Sequence, residues 1–194
     1  MDRALFDLHA DVEERHWWFV GRRTIMRRLI AQLLPPSRNT SIVDVGCGTG
    51  ANIAALATDY SCIGIDTSAD AIEHARETYP AVQFLHGFAP AALGETARSA
   101  DLFLLMDVIE HVPDDFRLVS DLMSAAKPGA LFLITVPADM TLWSPHDVAF
   151  RHYRRYDAQR LQRVWEGLST DTLLLSHFNT RLLPVVRGIR TLNR

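Results

Sequence analysis

The sequence predicts an α/β fold in which a doubly wound, mostly parallel sheet is covered by helices on both faces. Short apolar runs alternate along the chain with segments whose apolar residues recur at helical spacing. A glycine-rich turn follows the first run, and an acidic residue ends the second. With 194 residues, 48% hydrophobic and 22% charged, the chain has the length and composition of one globular domain that can bury a core.

The first predicted element is a helix over residues 22–34, which Pro35 and Pro36 end. Its apolar residues recur at helical spacing and are interleaved with arginines, so one face is expected to pack against the sheet. These apolar residues are Ile25, Met26, Leu29, Ile30, Leu33 and Leu34.

Six strands are predicted after this helix. They span residues 41–45, 62–65, 82–85, 102–106, 131–136 and 172–176. The strand at residues 102–106 is apolar throughout, as expected for a parallel strand that is covered on both faces.

Further helices are predicted at residues 52–57, 70–79 and 113–126, and another begins at Asp157. Thr67 with Asp70 is typical of a capping box at the start of the second of these helices. The third is expected to face inward with Phe116, Val119, Leu122, Met123 and Ala126.

The charge is unevenly distributed along the chain. Residues 1–38 carry a net charge of +2, residues 39–150 carry −11 and residues 151–194 carry +6. An acidic middle argues against a polynucleotide groove, so we expect no DNA partner. The first residues include acids and lack a continuous apolar run, and no stretch is long and apolar enough to span a membrane. Since two cysteines cannot form a disulfide framework, a cytoplasmic location is expected.

The turn at residues 43–50 follows the first strand and contains three glycines. Glycines let a backbone bend sharply and approach a ligand, and free N–H groups at a helix start attract an anionic group. Asp66 ends the second strand, where a carboxylate can accept both hydroxyls of a ribose. Together these features indicate a cofactor that contains adenosine. They do not say which one, because Gly46, Gly48 and Ala51 also match a dinucleotide pattern.

Later motifs discriminate between such cofactors. Four segments in order, residues 44–50, Asp66, residues 105–112 and residues 127–137, resemble class I S-adenosylmethionine-dependent methyltransferases. The resemblance implies a Rossmann-like, mostly parallel sheet, with S-adenosyl-L-methionine as cofactor and S-adenosyl-L-homocysteine as product. It also implies a final antiparallel strand beside the fifth. The sequence shows no strand after residue 178, so we expect this last strand to be missing here.

The resemblance also implies roles for individual residues. The glycines of the loop would surround the methionine moiety, Asp66 would hold the ribose, and Asp107 would lie near the ammonium group. Similar enzymes often place an acid near position 88 for the adenine amino group. Because Phe88 stands here, adenine is expected to be held by stacking or backbone contacts. The expected cofactor-binding residues are Asp44, Gly46, Cys47, Gly48, Gly50, Asp66, Thr67, Phe88, Asp107 and Val108.

Three histidines are the candidate catalytic residues. His111, His146 and His152 follow the carboxyl ends of the fourth and fifth strands, the edge where open α/β sheets bind ligands. Methyl transfer from a sulfonium needs a general base only when the acceptor keeps its proton, and imidazole is suited to that task. The alternatives are structural: His111 would only shape its own loop, and His146 and His152 would be ordinary surface residues.

Asp107, Glu110, His111 and His152 also form a possible metal-binding set. Some methyltransferases similar to this chain use this D-x-x-E-H spacing, with a further histidine, to bind a divalent ion that orients substrate hydroxyls. Many relatives carry the Glu-His pair without a metal, so the metal stays unknown at this stage.

The ends of the chain are expected to form separate segments. Residues 14–23 resemble a lid over the cofactor with Gly21 as hinge. They could equally form a helix with its aromatics in the core. The predicted organisation is therefore a lid at residues 1–38, a cofactor-binding domain at 39–178 and a basic helix at 179–194. That helix could touch an anionic lipid surface, or its basic face could simply be solvated.

These observations predict a methyltransferase that acts on oxygen or nitrogen of a small molecule. Alternatives are a lipid or quinone precursor, or an RNA 3′ end if a divalent metal is bound. A different class is a nicotinamide oxidoreductase, and another is a cofactor-binding protein that binds partners without catalysis. The acceptor and the oligomeric state do not follow from the sequence.

Overall fold

The computed structural model describes residues 13, 15–178, 180–184 and 187–188. Its strands are β1 (Ser37–Val45), β2 (Tyr60–Asp66), β3 (Gln83–His86), β4 (Leu102–Met106) and β5 (Leu131–Thr135). Its helices are α1 (Trp17–Leu33), α2 (Ala51–Ala54), α3 (Ala69–Thr78), α4 (Glu95–Ser99), α5 (Asp115–Ala125), α6 (Pro145–Ala149) and α7 (Ala158–Gln162). Short 3₁₀ turns separate several of these elements, among them Ile109–His111 after β4 and Met140–Leu142 after β5.

The five strands form one sheet in the order β3-β2-β1-β4-β5. The pairs β1–β2, β1–β4 and β2–β3 are parallel. The β4–β5 pair is parallel as well, because Leu131 N donates to Asp101 O at its start and Asp107 N donates to Thr135 O at its end. The predicted doubly wound α/β fold is confirmed, and no strand follows β5 in the part of the chain that the structure describes.

The described chain divides into two compact units. The first unit comprises the chain up to Met106 together with residues 121–134, and its core includes the fully buried Ile42 and Ile53 and the stacked rings of Phe103 and Phe132. The second unit comprises residues 107–120 and the chain from Thr135 onward. In it Asp115 accepts hydrogen bonds from Tyr156 Oη at 2.8 Å and Arg160 at 2.5 Å.

Two helices bury a different face from the one predicted. In α1 the buried stripe is Arg22, Met26 and Ile30, so Ile25 and Leu33, which were expected to pack, are exposed. In α5 the buried stripe runs through Asp115, Val119 and Leu122, and Phe116 is exposed. An apolar residue next to a buried stripe fits the helical period equally well, so spacing alone did not separate the two sets.

Other elements also differ from their predicted form. Ser68, not Thr67, caps α3, because its Oγ accepts a hydrogen bond from Ala71 N. The predicted strand at residues 172–176 is wrong: this segment has no strand partner in the described chain and leaves Leu173 exposed. The helix predicted at residues 52–57 is confined to Ala51–Ala54.

The ends of the chain are described only in part. Most of the predicted basic helix at residues 179–194 lies outside the described residues, which show a 3₁₀ turn at Thr180–Leu182. None of the described helices has the length and hydropathy that crossing a membrane requires.

Candidate functional site

The glycine loop between β1 and α2 depends on glycine for its backbone conformation. Gly46, Gly48 and Gly50 have φ values of 70°, 53° and 87°, a region that other L-residues rarely adopt. A Cβ on Gly50 would also lie 2.7 Å from the ring of Phe84. The predicted tight turn is therefore present, and it keeps side-chain atoms away from this part of the backbone.

Asp66 lies against this loop, at the end of β2. One carboxylate oxygen accepts a hydrogen bond from Gly48 N at 2.9 Å, and the other accepts one from Ser68 N at 2.8 Å. An ionised carboxylate has about four lone-pair sites, so each oxygen keeps capacity for a further donor such as a ribose hydroxyl. The loop and the acid that the sequence singled out are thus next to each other.

Asp44, just before the loop, is a buried carboxylate. It is 1% exposed, and neither carboxylate oxygen has a hydrogen-bond partner within the described chain. Burial, and after it the carboxylates of Glu13 and Asp66, raise the pKa of Asp44 to about 8, although Arg22 opposes the shift. The acids beside the loop make this a region where a cation would be favoured.

Glu13 is a site residue that the sequence reasoning missed. Its buried carboxylate accepts a hydrogen bond at 2.5 Å from the hydroxyl of Thr49, inside the glycine loop. The two residues are 36 positions apart, and no local motif connects them.

The lid predicted at the N-terminus stays a prediction. Gly21, the predicted hinge, lies inside the continuous helix α1. Met26 and Ile30 belong to the core of the first unit, and Trp17 is exposed.

The remaining predicted cofactor residues of the first unit lie close to the loop or to β3. The Cys47 side chain is buried, and burial raises the pKa of its thiol above the ordinary value. Thr67 O contacts His86 Nε2 at 3.1 Å. Phe88 is 76% exposed and follows Gly87, whose N–H donates to Asp66 O. An exposed ring is available for stacking on an adenine, which stays a prediction.

Asp107 begins the second unit in an unusual conformation. Its φ is 57°, although it is not glycine, and its carboxylate accepts a hydrogen bond from Thr135 Oγ1 at 3.2 Å. Such strained residues are frequent at functional sites. Val108 follows and precedes the 3₁₀ turn Ile109–His111.

The three candidate histidines lie together in the second unit. The rings of His111 and His152 meet edge to face with centroids 4.6 Å apart, and His146 lies 6.4 Å from His152. Phe150 packs against His146 with centroids 4.3 Å apart. Residues far apart in the sequence thus form one imidazole cluster.

Asp147 supports this cluster and was also missed by the sequence reasoning. It is 0% exposed, its two oxygens accept hydrogen bonds from Arg155 at 2.7 and 3.2 Å, and His152 Nδ1 lies 3.0 Å from Oδ1. Burial acts to raise the pKa of Asp147, but Arg155, the N–H of Ser144 and His152 together lower it to about 2. The Ser-Pro-His-Asp capping box at the start of α6 was the local signal that could have pointed to Asp147.

The predicted metal set is brought together in part. One ligand atom from each of Glu110, His111 and His152 lies within 4.8 Å of the others. Glu110 is fully buried. Asp107 is not part of this group, and its carboxylate accepts the Thr135 hydroxyl instead. A carboxylate with two imidazoles is a donor set that can suit a transition metal, so the chemistry of the group does not by itself decide between metal binding and acid–base work.

Comparison with known proteins identifies the family. Residues 18–173 match a family model described as a methyltransferase domain. A Mycolicibacterium smegmatis protein named "Probable S-adenosylmethionine-dependent methyltransferase" is 29% identical over 171 residues, which cover 84% of this chain and 64% of that protein. A trans-aconitate 2-methyltransferase of Paracidovorax citrulli is 30% identical over 88% of this chain and 66% of its own length. The chain thus spans less than two thirds of the length of these relatives.

The fold has relatives among solved structures. The N-methyltransferase NodS of Bradyrhizobium japonicum, solved with S-adenosyl-L-homocysteine, matches with a TM-score of 0.55 at 18% identity, over 66% of this chain and 67% of that one. The sheet order, the glycine loop with its acidic partner and the family model agree with the resemblance seen in the motifs. The chain therefore belongs to the methyltransferase-domain family, and its predicted membership of the class I S-adenosylmethionine-dependent methyltransferases is confirmed.

Proposed function

We propose that this chain binds S-adenosyl-L-methionine at the glycine loop and transfers its methyl group to an oxygen or nitrogen atom of a small-molecule acceptor. The observation that carries the proposal is the presence of Asp44 and Asp66 beside a loop that requires glycine. A glycine backbone lets the methionine part of the cofactor approach closely, and Asp66 keeps lone pairs for the ribose hydroxyls.

The electrostatics of this site favour a cation. Asp44 is buried without a hydrogen-bond partner in the described chain, and Glu13 and Asp66 add negative charge beside it. S-adenosyl-L-methionine carries a sulfonium and an ammonium, and it becomes a neutral thioether only after transfer. A cationic cofactor therefore gains from these acids, whereas the phosphates of a nicotinamide dinucleotide would be repelled by them.

The second unit supplies candidate proton acceptors, because its His111, His146 and His152 form the imidazole cluster. Methyl transfer from a sulfonium is an in-line displacement in which the leaving group departs as a neutral thioether. Alignment of the reactants and exclusion of water therefore supply much of the rate. The named acceptor of several relatives, trans-aconitate, supports a small molecule as the acceptor class.

The binding half of the proposal is tested by calorimetry. We expect the protein to bind S-adenosyl-L-homocysteine and not NADH. Asp66→Asn should weaken that binding at least tenfold, because the amide cannot accept from two N–H donors and a ribose as the carboxylate does. Asp70→Asn is the matched control, since Asp70 is an exposed carboxylate on α3. Binding of NADH instead would favour a nicotinamide oxidoreductase.

The catalytic half is tested with labelled S-adenosyl-L-methionine and three acceptor probes: 4-methylphenol, benzylamine and trans-aconitate. Mass spectrometry of each mixture reports which probe gains a methyl group. Methylation of none of the three would contradict the proposed acceptor class. Tight binding of S-adenosyl-L-homocysteine without any transfer would favour a cofactor-binding protein without catalysis.

A further inference from the structure

We infer that Asp44 carries a proton in the free protein and releases it when positively charged S-adenosyl-L-methionine binds beside it. This role rests on the proposed function and deepens it, because it makes Asp44 the residue that distinguishes the cofactor from its product. S-adenosyl-L-methionine has one positive charge more than S-adenosyl-L-homocysteine. A buried carboxyl group that ionises only next to a cation therefore favours the first ligand over the second.

Asp44 lies inside the sheet of the first unit. It is the next-to-last residue of β1, with Gly64 of β2 on one side and Leu104 of β4 on the other. The residue is 1% exposed, and neither carboxylate oxygen has a hydrogen-bond partner in the described chain. An ionised carboxylate without a partner is so costly to remove from water that the group takes up a proton instead.

The carboxylates near Asp44 act in the same direction as its burial. Asp66 ends β2, the strand that pairs with β1, and Glu13 accepts the hydroxyl of Thr49 in the glycine loop. Burial, followed by the carboxylates of Glu13 and Asp66, raises the pKa of Asp44 to about 8, and Arg22 acts against them. Near neutral pH the protonated carboxyl is thus the favoured form.

Two thiols also lie near Asp44. Burial raises the pKa of the Cys62 thiol to about 12, and it raises that of Cys47 as well. Both thiols therefore stay neutral where Asp44 titrates, and the neighbour of Asp44 on β4 is an apolar leucine. The charge at this position is set by the three carboxyl groups and Arg22.

The cationic end of the cofactor is expected next to Asp44. The residue comes two positions before Gly46, where the glycine loop begins, and the proposed function places the methionine part of the cofactor at this loop. That part carries the sulfonium and the ammonium. A positive charge near Asp44 stabilises the carboxylate and lowers its pKa. Binding thus exchanges a proton for a cation at one buried carboxyl group.

The exchange is reversed when the methyl group is transferred. On binding, the O–H bond of the Asp44 carboxyl breaks and the proton passes to solvent. In the transfer, a lone pair of the acceptor attacks the methyl carbon and the carbon–sulfur bonding pair stays on sulfur, so the sulfonium charge is lost. Asp44 then takes up a proton from solvent, because the cation that stabilised its charge has become a neutral thioether.

Calorimetry in buffers that differ in their enthalpy of ionisation counts the protons released on binding. At pH 7 a carboxyl group with a pKa of about 8 is about 90% protonated. S-adenosyl-L-methionine should therefore release close to one proton more from the unsubstituted protein than from Asp44→Asn. The comparison removes the amino group of the ligand, which both measurements share. S-adenosyl-L-homocysteine should show almost no such difference. Asp70→Asn, which alters an exposed carboxylate of α3, is the control and should release as many protons as the unsubstituted protein.

Infrared difference spectra observe the bound proton directly. The free protein should show the carbonyl stretch of a protonated carboxyl group. This band should disappear when S-adenosyl-L-methionine is added and remain when S-adenosyl-L-homocysteine is added. The unsubstituted protein alone gives this readout, so it does not depend on how well Asp44→Asn folds. In that variant the band should be absent with and without ligand.

The affinity for the cofactor should depend on pH for the same reason. Below pH 8 the affinity for S-adenosyl-L-methionine, measured relative to Asp44→Asn, should rise by up to tenfold per pH unit, because less protonated Asp44 has to lose its proton. The affinity for S-adenosyl-L-homocysteine, measured in the same way, should stay nearly constant.

The outcomes separate the role of Asp44 from the proposed function. Equal proton release from the unsubstituted protein and Asp44→Asn, or equal release with the two ligands, would overturn the role of Asp44 and leave the methyl transfer standing. Proton release with S-adenosyl-L-methionine but no methylation of the three acceptor probes would support the role of Asp44 and contradict the proposed transfer. A protein that binds neither ligand would overturn both.

Discussion

Asp44 and Asp147 are both fully buried carboxylates, one in each unit, and their surroundings move their pKa values in opposite directions. Burial, together with the neighbouring carboxylates of Glu13 and Asp66, raises the pKa of Asp44 to about 8. Burial acts in the same direction on Asp147, but Arg155, Ser144 and His152 lower its pKa to about 2. The two differ in their partners, because Asp147 has bonded donors and Asp44 has none in the described chain.

The two carboxylates also differ in the charges around them. Arg155 and His152 contact Asp147 within the second unit. Beside the glycine loop, Glu13 and Asp66 act with burial to raise the pKa of Asp44, and Arg22 acts against them. We infer that the first site is suited to a cationic ligand and that the carboxylate of the second site holds a histidine.

The largest expected effect concerns the pH dependence that Asp44 contributes. Its pKa is 3.8 in the unfolded chain and about 8 in the folded protein. Between these values the unfolded state loses the proton first, so the Asp44 contribution to the free energy of unfolding falls as pH rises from about 4 to about 8. At about 1.4 kcal/mol per pH unit the loss is on the order of 5 kcal/mol.

Urea unfolding of the unsubstituted protein and of Asp44→Asn at pH 4 and pH 8 measures this effect. The asparagine does not titrate, so subtracting the free energy of unfolding of the variant removes the contributions of the other titrating groups. Relative to the variant, the unsubstituted protein should be less stable at the higher pH. If the difference in free energy of unfolding between the two proteins is the same at both pH values, Asp44 titrates as an ordinary carboxyl. The contrast between Asp44 and Asp147 would then be wrong.

Removal of the Asp147 carboxylate should have the next largest effect. Asp147→Ala leaves the buried Arg155 guanidinium without the anion that it binds. Breaking a buried ion pair by removing one partner costs about 3–5 kcal/mol of stability. Urea unfolding at pH 7 measures the loss, and Asp171→Ala, at an exposed position, should change stability by less than about 0.5 kcal/mol. Equal stability of the two variants would show that Asp147 is not held as described.

The two sites also differ in how well the sequence predicted them. The glycine loop and Asp66 were recognised because both depend on local backbone chemistry: positive φ angles and the end of a strand. Strand β4 was predicted with its exact bounds because five consecutive apolar residues are buried on both faces. By contrast, Glu13 with Thr49 and Asp147 with Arg155 are pairings made by the fold, and the sequence has no local signal for them beyond a capping box.

The errors in the predicted fold have a related cause. Ile25 and Phe116 fit the helical period, but only the neighbouring elements determine which stripe of a helix is buried. Residues 172–176 have the composition of a strand, yet a strand exists only where a neighbour accepts its hydrogen bonds. Local sequence patterns therefore predict which segments can form helices and strands. Contacts with other segments determine which helix face is buried and which strand finds a partner.

A smaller effect is expected for Phe88, which tests whether the first site depends on a ligand. Phe88→Ala should weaken the binding of S-adenosyl-L-homocysteine by about 1–3 kcal/mol, the usual contribution of stacking a base on an aromatic ring. Its stability should hardly change, because the ring is largely exposed. Calorimetry and urea unfolding measure the two quantities, with Phe116→Ala, another exposed phenylalanine, as control. Unchanged affinity would mean that adenine does not stack there.

The smallest effect is expected from metal removal, which tests whether the second site is complete without an ion. The hydrogen bonds from Arg155 to Asp147 and the contact of Asp147 with His152 hold this part of the second unit together without an ion, although Glu110, His111 and His152 lie close enough to share one. Dialysis against EDTA should therefore leave the initial rate of methyl transfer unchanged, and added Mg²⁺ should not raise it. Added Zn²⁺ should inhibit, because the imidazoles of this cluster are good ligands for it. If chelation abolishes activity and Mg²⁺ restores it, the second site needs a cation as well. The contrast between Asp44 and Asp147 would then hold only for the hydrogen-bond partners of the two carboxylates.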